Sequence, residues 1–350
     1  MLEGSCAQNE SKNHSASSDA LQALRTQLLG DGEFLSQSEL AARAGTSEAD
    51  VVDFWRAMGF ADVQPDAKIF TSADAEALET CRELIGSHIV DHDTMISLLR
   101  AFSYTSDRLA LWQVETLVED QVRRIGKSDL SARKEVLEHI NEILPALERA
   151  ANYAFRRHIY ALLARMERDY VGRRISEPQP DRYPLRRSLG FVDMVAYTST
   201  SATLSPSGLS TLIRRFEYLA RDVITSRGAR IVKTIGDAVL YIADDLETAT
   251  EVVCALVEEF SAAKDLLPVR ASLVEGYVVS RSGDVFGPPV NLASRLVDDA
   301  PQGAVCVDMS TAQSIIDSDW GKRFFLEELE TQDMHGLGPV RRFMLKPRGK

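Results

Sequence analysis

Cysteine is scarce in this chain, and its few copies do not pair. Cys6, Cys81, Cys254 and Cys306 are scattered over 350 residues with no CxxC spacing. No disulfide scaffold is built that way, and no histidine or cysteine partner at ligand spacing supplies a structural zinc site. The thiols are expected to be reduced and mostly buried. No apolar run approaches the roughly 18 residues of a membrane helix, and the first residues lack a signal-peptide hydrophobic region. These absences predict a cytoplasmic protein with no integral membrane segment. Positive charge is in deficit: 40 Lys and Arg stand against 52 Asp and Glu, a formal net charge of −12. That balance argues against a nucleic-acid partner or an anionic-membrane surface. No internal repeat is evident.

What is present suits a globular protein of two domains: 45% of the residues are apolar and 26% are charged, and the length allows two cores. Residues 1–19 are rich in Ser, Asn and Asp and are expected to be disordered. From 20 to 174 the pattern is helical, with apolar residues three and four apart in stretches such as 93–102 and 136–144 and with little Pro or Gly. This predicts an all-helical domain. Ser176-Glu177-Pro178-Gln179-Pro180-Asp181 then breaks the pattern, and 175–185 is expected to be a linker. Over 186–350 short apolar strands alternate with helical windows. The strands are expected at 188–194, 230–235, 238–242, 269–279 and 304–307, the helices at 207–225, 246–263 and 290–297. This predicts a mixed α/β domain closed by further strands between Arg323 and Leu345.

Three features of the helical half invite a functional reading. Residues 34–56 run helix, Gly45 turn, helix, like a helix-turn-helix. The second helix opens Ser47-Glu48-Ala49-Asp50, which repels phosphate, so the segment is expected to serve packing or protein contact rather than DNA. His88 and His92 are four apart and are expected to share one helical face. Protonating both would set like charges together, which makes them candidate regulatory residues between about pH 5 and 8. The window from Leu147 to Arg174, rich in Arg and Tyr, is expected to be an amphipathic helix that dimerises or transmits a signal.

The chemistry concentrates in the other half. Asp193 lies in Gly190-Phe191-Val192-Asp193-Met194-Val195-Ala196-Tyr197-Thr198, and Asp237 in Val232-Lys233-Thr234-Ile235-Gly236-Asp237-Ala238-Val239-Leu240. Each carboxylate adjoins an apolar run that reads as a buried strand. A carboxylate there is costly unless it is paired or holds a cation. Two of them suit hard divalent ions held against a polyphosphate. A third segment, Asp284-Val285-Phe286-Gly287-Pro288-Pro289-Val290-Asn291-Leu292-Ala293-Ser294-Arg295, completes the set.

Together these motifs resemble the class III adenylyl and guanylyl cyclases, from about residue 188 to 344. The resemblance implies an α+β fold, a ferredoxin-like βαββαβ catalytic domain preceded here by an all-α regulatory domain. It implies Asp193 and Asp237 as ligands of two divalent metal ions, Mg or Mn. Phe191 to Thr198 would present backbone amides to the phosphates. Lys233 and Asp284 would read the purine, lysine donating to adenine N1 and aspartate accepting from the 6-amino group. Related guanylyl cyclases usually carry Glu at the lysine position, so ATP is the implied substrate. Asn291 and Arg295, one helical turn apart, match the residues that orient the ribose and stabilise the transferred α-phosphoryl. In the family the metal aspartates and the remaining site residues come from opposite subunits, which implies a head-to-tail homodimer.

Two departures stand out. Ala196 occupies a phosphate-turn position that is usually Gly, so slower catalysis is expected. His335 stands where a basic residue contacts the triphosphate, with Arg341 and Arg342 nearby. The helical half resembles, more loosely, the regulatory domain of actinobacterial pH-responsive adenylyl cyclases. The competing readings are a cyclase-like nucleotide sensor without turnover and a helix-turn-helix transcription regulator.

Overall fold

The computed structural model of the chain describes residues 24–26, 28–30, 33–126, 128–173, 185–281 and 283–348. Cys6, the segment 1–19 and all of the expected linker except Leu185 lie outside the described residues. The chain divides into two compact units, 1–175 and 176–350.

The first unit is helical: α1 (Gln37–Ala44), α2 (Glu48–Ala57), α3 (Ser72–Gly86), α4 (His92–Ile125) and α5 (Asp129–Arg173). Short-range chemistry starts and stops these helices. Ser36 and Ser47 each accept an amide of the first turn, while Glu39 and Asp50 reach back to the capping residue's own amide. Gly45 ends α1 in the left-handed conformation, at φ 64°. The acidic opening of α2 therefore has a local task. Hydrogen bonds from the Ser47 and Thr46 hydroxyls hold Asp50 ionised and its pKa low. The helix-turn-helix-like pair packs into a core of Leu40, Val51, Phe54, Phe70, Leu78, Met95 and Leu99.

Two expectations for this unit need correction. His88 and His92 do not share a helical face. α3 ends at Gly86, His88 sits in a turn at φ 57°, and His92 opens α4 behind the cap Asp91, whose side chain accepts from the Thr94 amide. A spacing of four aligns side chains only inside one unbroken helix. Conversely, no helix begins at Leu147. α5 runs unbroken for 45 residues with Pro145 in its interior, because a proline removes one donor while the turns on either side continue. Among the described residues no helix is long and apolar enough to cross a membrane.

The second unit is built on a twisted mixed sheet. Its strands are β1 (Leu185–Met194), β2 (Arg230–Ile235), β3 (Ala238–Ala243), β4 (Val269–Arg281), β5 (Asp284–Phe286), β6 (Val305–Asp308), β7 (Phe324–Glu328), β8 (Gln332–Met334), β9 (Gly338–Val340) and β10 (Arg342–Pro347). Its helices are α6 (Tyr197–Ser201), α7 (Pro206–Ser226), α8 (Leu246–Ala262), α9 (Pro288–Asp298) and α10 (Met309–Asp317). The strand order is β2-β3-β1-β4-β6-β10-β7, with β5 paired to β4 and a separate β8–β9 hairpin. β1 through β4, with α7 and α8 as crossovers, form the expected ferredoxin-like βαββαβ unit, every pair antiparallel. β6 then joins β4 in parallel.

β1 is central and apolar on both sides. Val192 and Met194 face one core with Phe216 of α7, Leu256 and Phe260 of α8, and Ile315 of α10. Leu189 and Phe191 face the other, with Ala293, Leu296 and Val297 of α9. This alternation puts Asp193 on the α9 side of the sheet. The expected first strand begins earlier than Ser188, since Leu185 already pairs with Val278. Burial keeps the thiols of this unit unreactive, pushing Cys254 up to about 12 and Cys306 to about 11.

β1 and β4 approach so closely that a β-carbon on Gly190 would lie 1.9 Å from the Ser272 carbonyl oxygen. Gly190→Ala is expected to cost about 3 kcal/mol or more of stability, because the obstacle is backbone and does not rotate away. Chemical denaturation of the full chain measures this.

Candidate functional site

Asp193 closes β1, with Ala238 of β3 on one flank and Arg270 of β4 on the other. Asp237 is the second residue of the tight turn between β2 and β3, which Gly236 opens at φ 61°. The two aspartates meet across the strands, where the Met194 amide donates to the Asp237 carbonyl at 3.1 Å. The Asp193 side chain is only 13% exposed. Burial raises its pKa above the ordinary carboxylate value. The Arg270 guanidinium pulls it back, and the charges of Asp237 and Asp298 add to the rise. Among the described residues no cluster of three or more His, Cys, Asp or Glu side chains is arranged to hold a metal. Two hard carboxylates alone fit a cation that brings its other ligands, water and phosphate oxygens, and do not fit an all-protein cage.

Sequence reading missed Arg270. Its Nε and Nη2 lie 2.9 and 2.7 Å from Asp193 Oδ2, so one guanidinium covers the carboxylate. The signal was available. Val269-Arg270-Ala271-Ser272-Leu273-Val274 places a lone charge in a buried strand, where it needs a partner.

Lys233 and Asp284, 51 residues apart in sequence, form an ion pair of 2.5 Å between Nζ and Oδ2. The hairpin register arranges it. Counted from the β2–β3 turn, Ile235 pairs with Ala238, Thr234 with Val239 and Lys233 with Leu240, which puts Lys233 on the α9 side of the sheet with Leu240. A bulge at Val232 follows, so that Ile231 pairs with Tyr241. Asp284 begins β5, where its Oδ1 accepts the Val285 amide at 2.8 Å and fixes the carboxylate.

α9 begins at Gly287, which has φ 138° and ψ 171°, followed by Pro288 and Pro289 in the first turn. It buries Ala293, Leu296 and Val297 against the sheet. Asn291 and Arg295 are one turn apart on its exposed surface. Arg295 Nη1 lies 3.9 Å from Asp298 Oδ2.

The family described as the adenylate and guanylate cyclase catalytic domain matches residues 186–347. An adenylate cyclase of Glutamicibacter nicotianae is 34% identical over 337 residues, covering 93% of this chain and 82% of that protein. An adenylate cyclase of Streptomyces coelicolor is 35% identical over 290 residues, covering 83% and 74%. The chain belongs to the adenylate and guanylate cyclase family. A pH-sensitive adenylate cyclase of Mycobacterium tuberculosis is 28% identical over 324 residues, covering 90% of this chain and 79% of its own length. Among solved structures, the catalytic core of a rhodopsin-guanylyl cyclase with converted specificity, in complex with ATPalphaS, matches at 22% identity. Its TM-score is 0.44, and the match covers 48% of this chain and 98% of that one.

In this cyclase fold the remaining expected residues fall in different places. Phe191 is corrected: its side chain is buried in the α9-side core, and its amide donates to Ser272 Oγ at 3.1 Å. An amide already engaged in the sheet is not offered to a phosphate. Thr198 lies exposed in α6, and Ala196 precedes that helix at φ 62° and ψ 22°. Alanine thus holds the left-handed angle that glycine adopts without cost, at a strain of about 1–2 kcal/mol. His335 is exposed in the turn between β8 and β9. Arg341 pairs with Glu328, and Arg342 donates to the carbonyls of Glu330 and Asp299.

The Lys233 and Asp284 side chains are 39% and 27% exposed, so water screens their attraction. Lys233→Ala is therefore expected to change the unfolding free energy by less than about 1 kcal/mol, as read by thermal denaturation. Any larger effect on nucleotide binding then belongs to recognition rather than folding.

Proposed function

We propose that the protein is an adenylyl cyclase that converts ATP to 3',5'-cyclic AMP and pyrophosphate at sites shared across a homodimer. The observation that carries this reading is the Lys233–Asp284 pair. One fixed donor beside one fixed acceptor complements adenine N1 and its 6-amino group, and guanine presents the opposite pattern on that edge. Family membership and the adenylate cyclase relatives support the same substrate.

Each side chain has a task. Asp193 and Asp237 hold the cation-bound triphosphate. When bound, two divalent ions, Mg or Mn, supply Lewis acidity at the α-phosphate and lower the pKa of the 3'-hydroxyl. Asn291 orients the ribose, and Arg295 meets the charge that grows on the α-phosphoryl as the 3'-oxygen attacks and pyrophosphate leaves. Thr198 and the amides that open α6 face the phosphates, with Ala196 slowing that turn. His335 offers a further hydrogen-bond donor to the triphosphate. The metal aspartates of one chain face the Lys233, Asp284, Asn291 and Arg295 set of a head-to-tail partner, so each dimer holds two sites.

The helical unit regulates the catalytic dimer. Support comes from the Glutamicibacter nicotianae relative, whose 93% coverage of this chain extends through that unit. His88 and His92 sit on separate elements, so a pH response in this chain does not act through a shared helical face.

Two experiments test the reading. Asp193→Ala and Arg295→Ala are each expected to abolish cyclic AMP formation. When mixed and reassorted, half the dimers hold one variant of each kind and rebuild one of two sites, giving about a quarter of wild-type activity. No recovery would rule out shared sites. The second experiment uses the raised pKa of Asp193. A carboxyl that titrates higher in the folded chain than in the unfolded one penalises folding at neutral pH, and the penalty fades as pH falls toward the unfolded value. A bound cation removes that penalty. Mg or Mn at pH 7.5 is therefore expected to raise the unfolding temperature of the wild type and to leave Asp193→Asn unchanged.

A further inference from the structure

The helix-turn-helix-like pair carries a cleft that none of the chemistry above uses. It lies between α1, α2 and the chain that leads from Asp62 to Phe70, and its volume is about 260 Å³. Its base is apolar. Val51 and Phe70, each 1% exposed, line it together with Pro65. Trp55 forms a wall whose position is fixed twice. Its ring meets Phe70 edge-on at 4.9 Å, and its Nε1 donates to the Ala61 carbonyl at 2.9 Å.

The rim is polar, and its charges are held in place. Arg56 Nε lies 2.7 Å from Asp62 Oδ1, and Arg56 Nη2 lies 2.8 Å from Asp62 Oδ2. This two-bond fork sets one cation and one anion side by side in a single geometry. The hydrogen bonds from Arg56 hold the Asp62 carboxyl below its ordinary range, so the pair stays charged. The fork does not exhaust either partner. Nη1 makes no hydrogen bond among the described residues, and each carboxylate oxygen keeps a lone pair. Gln37 adds a loosely held amide, with Nε2 3.4 Å from both the Glu48 carbonyl and its carboxylate.

Charge and size select the occupant. An anion that reaches Arg56 is opposed by Asp62, and a cation that reaches Asp62 is opposed by Arg56. A zwitterion satisfies both. The base beneath asks for hydrocarbon, and the volume falls short of the roughly 300–1,000 Å³ of a site for drug-sized ligands. We propose that this cleft is a binding site for a free α-amino acid with a large apolar side chain. The ligand carboxylate accepts from Arg56 Nη1, its ammonium donates to Asp62, and its side chain lies against Trp55 and Phe70.

Calorimetric titration of the full-length protein with L-leucine, L-methionine and L-phenylalanine tests this. At least one is expected to bind, with a Kd on the order of 0.1 mM, which about ten heavy atoms can supply. Its methyl ester, which lacks the carboxylate, and its N-acetyl form, which lacks the ammonium, are each expected to bind about tenfold more weakly. Arg56→Gln and Asp62→Asn are expected to weaken the free amino acid by about as much. Both are expected to fold, because an exposed ion pair adds little stability. Binding is expected to change the tryptophan fluorescence of the wild type and not that of Trp55→Phe, which separates this cleft from any site near Trp112 or Trp320. No binding of any of the three at roughly a hundred times that Kd overturns the proposal. So does a fluorescence change that persists in Trp55→Phe, or binding unaltered in Arg56→Gln and Asp62→Asn. Equal binding of the ester and the N-acetyl form also overturns it, and marks instead a surface for an apolar peptide.

Discussion

The burial of β1 on both faces is the constraint on which the catalytic unit depends. A strand covered on two sides must be apolar almost throughout, and its neighbours must approach closely. Gly190 is the point where that closeness is greatest, because Ser272 leaves no room for a side chain. The strand nevertheless ends in a carboxylate. Asp193 is tolerated because Arg270 reaches it from β4, while the β2–β3 turn sets Asp237 alongside, whose like charge adds to the cost. A charge fixed at the end of a rigid central strand cannot move away from its ligand, which suits the proposed triphosphate site.

The two faces of the sheet have different duties. α7, α8 and α10 pack against one face and supply most of the hydrophobic core. The other face carries α9, with Asn291 and Arg295, and the side chains of Asp193 and Lys233. Stability and chemistry are thereby separated by the alternation of side chains along single strands. Val192 and Met194 hold the fold while Asp193, between them, is proposed to serve the reaction.

Much of this was legible in the sequence, for stated reasons. Buried strands appear as apolar runs, and helix starts appear as Ser or Asp caps, so the change of texture near residue 185 was plain. The βαββαβ order came with the cyclase motifs, and the strand order bears it out. What failed depended on long-range neighbours. Whether the Phe191 amide is available is decided by Ser272, 81 residues away. His88 and His92 have helical spacing, but Asp91 caps a new helix between them. The window from Leu147 reads as a helix of its own, but α5 runs through it from Asp129. Arg270 and Asp193 are 77 residues apart in sequence, so only the fold joins the buried carboxylate to its cation.

The register of the β2–β3 hairpin has a consequence for descent within this family. The proposed base recognition rests on Lys233 facing the α9 side with Leu240, and that facing is set by Thr234 and Ile235, which stand between the lysine and the turn. Loss of a single codon there would bring the lysine opposite Val239 and turn it to the other face. The gene would still encode every residue of the site, and the sheet would still pair. A lineage can therefore lose its preference for adenine without altering any side chain that touches the nucleotide, and a comparison of site residues alone would not register the loss.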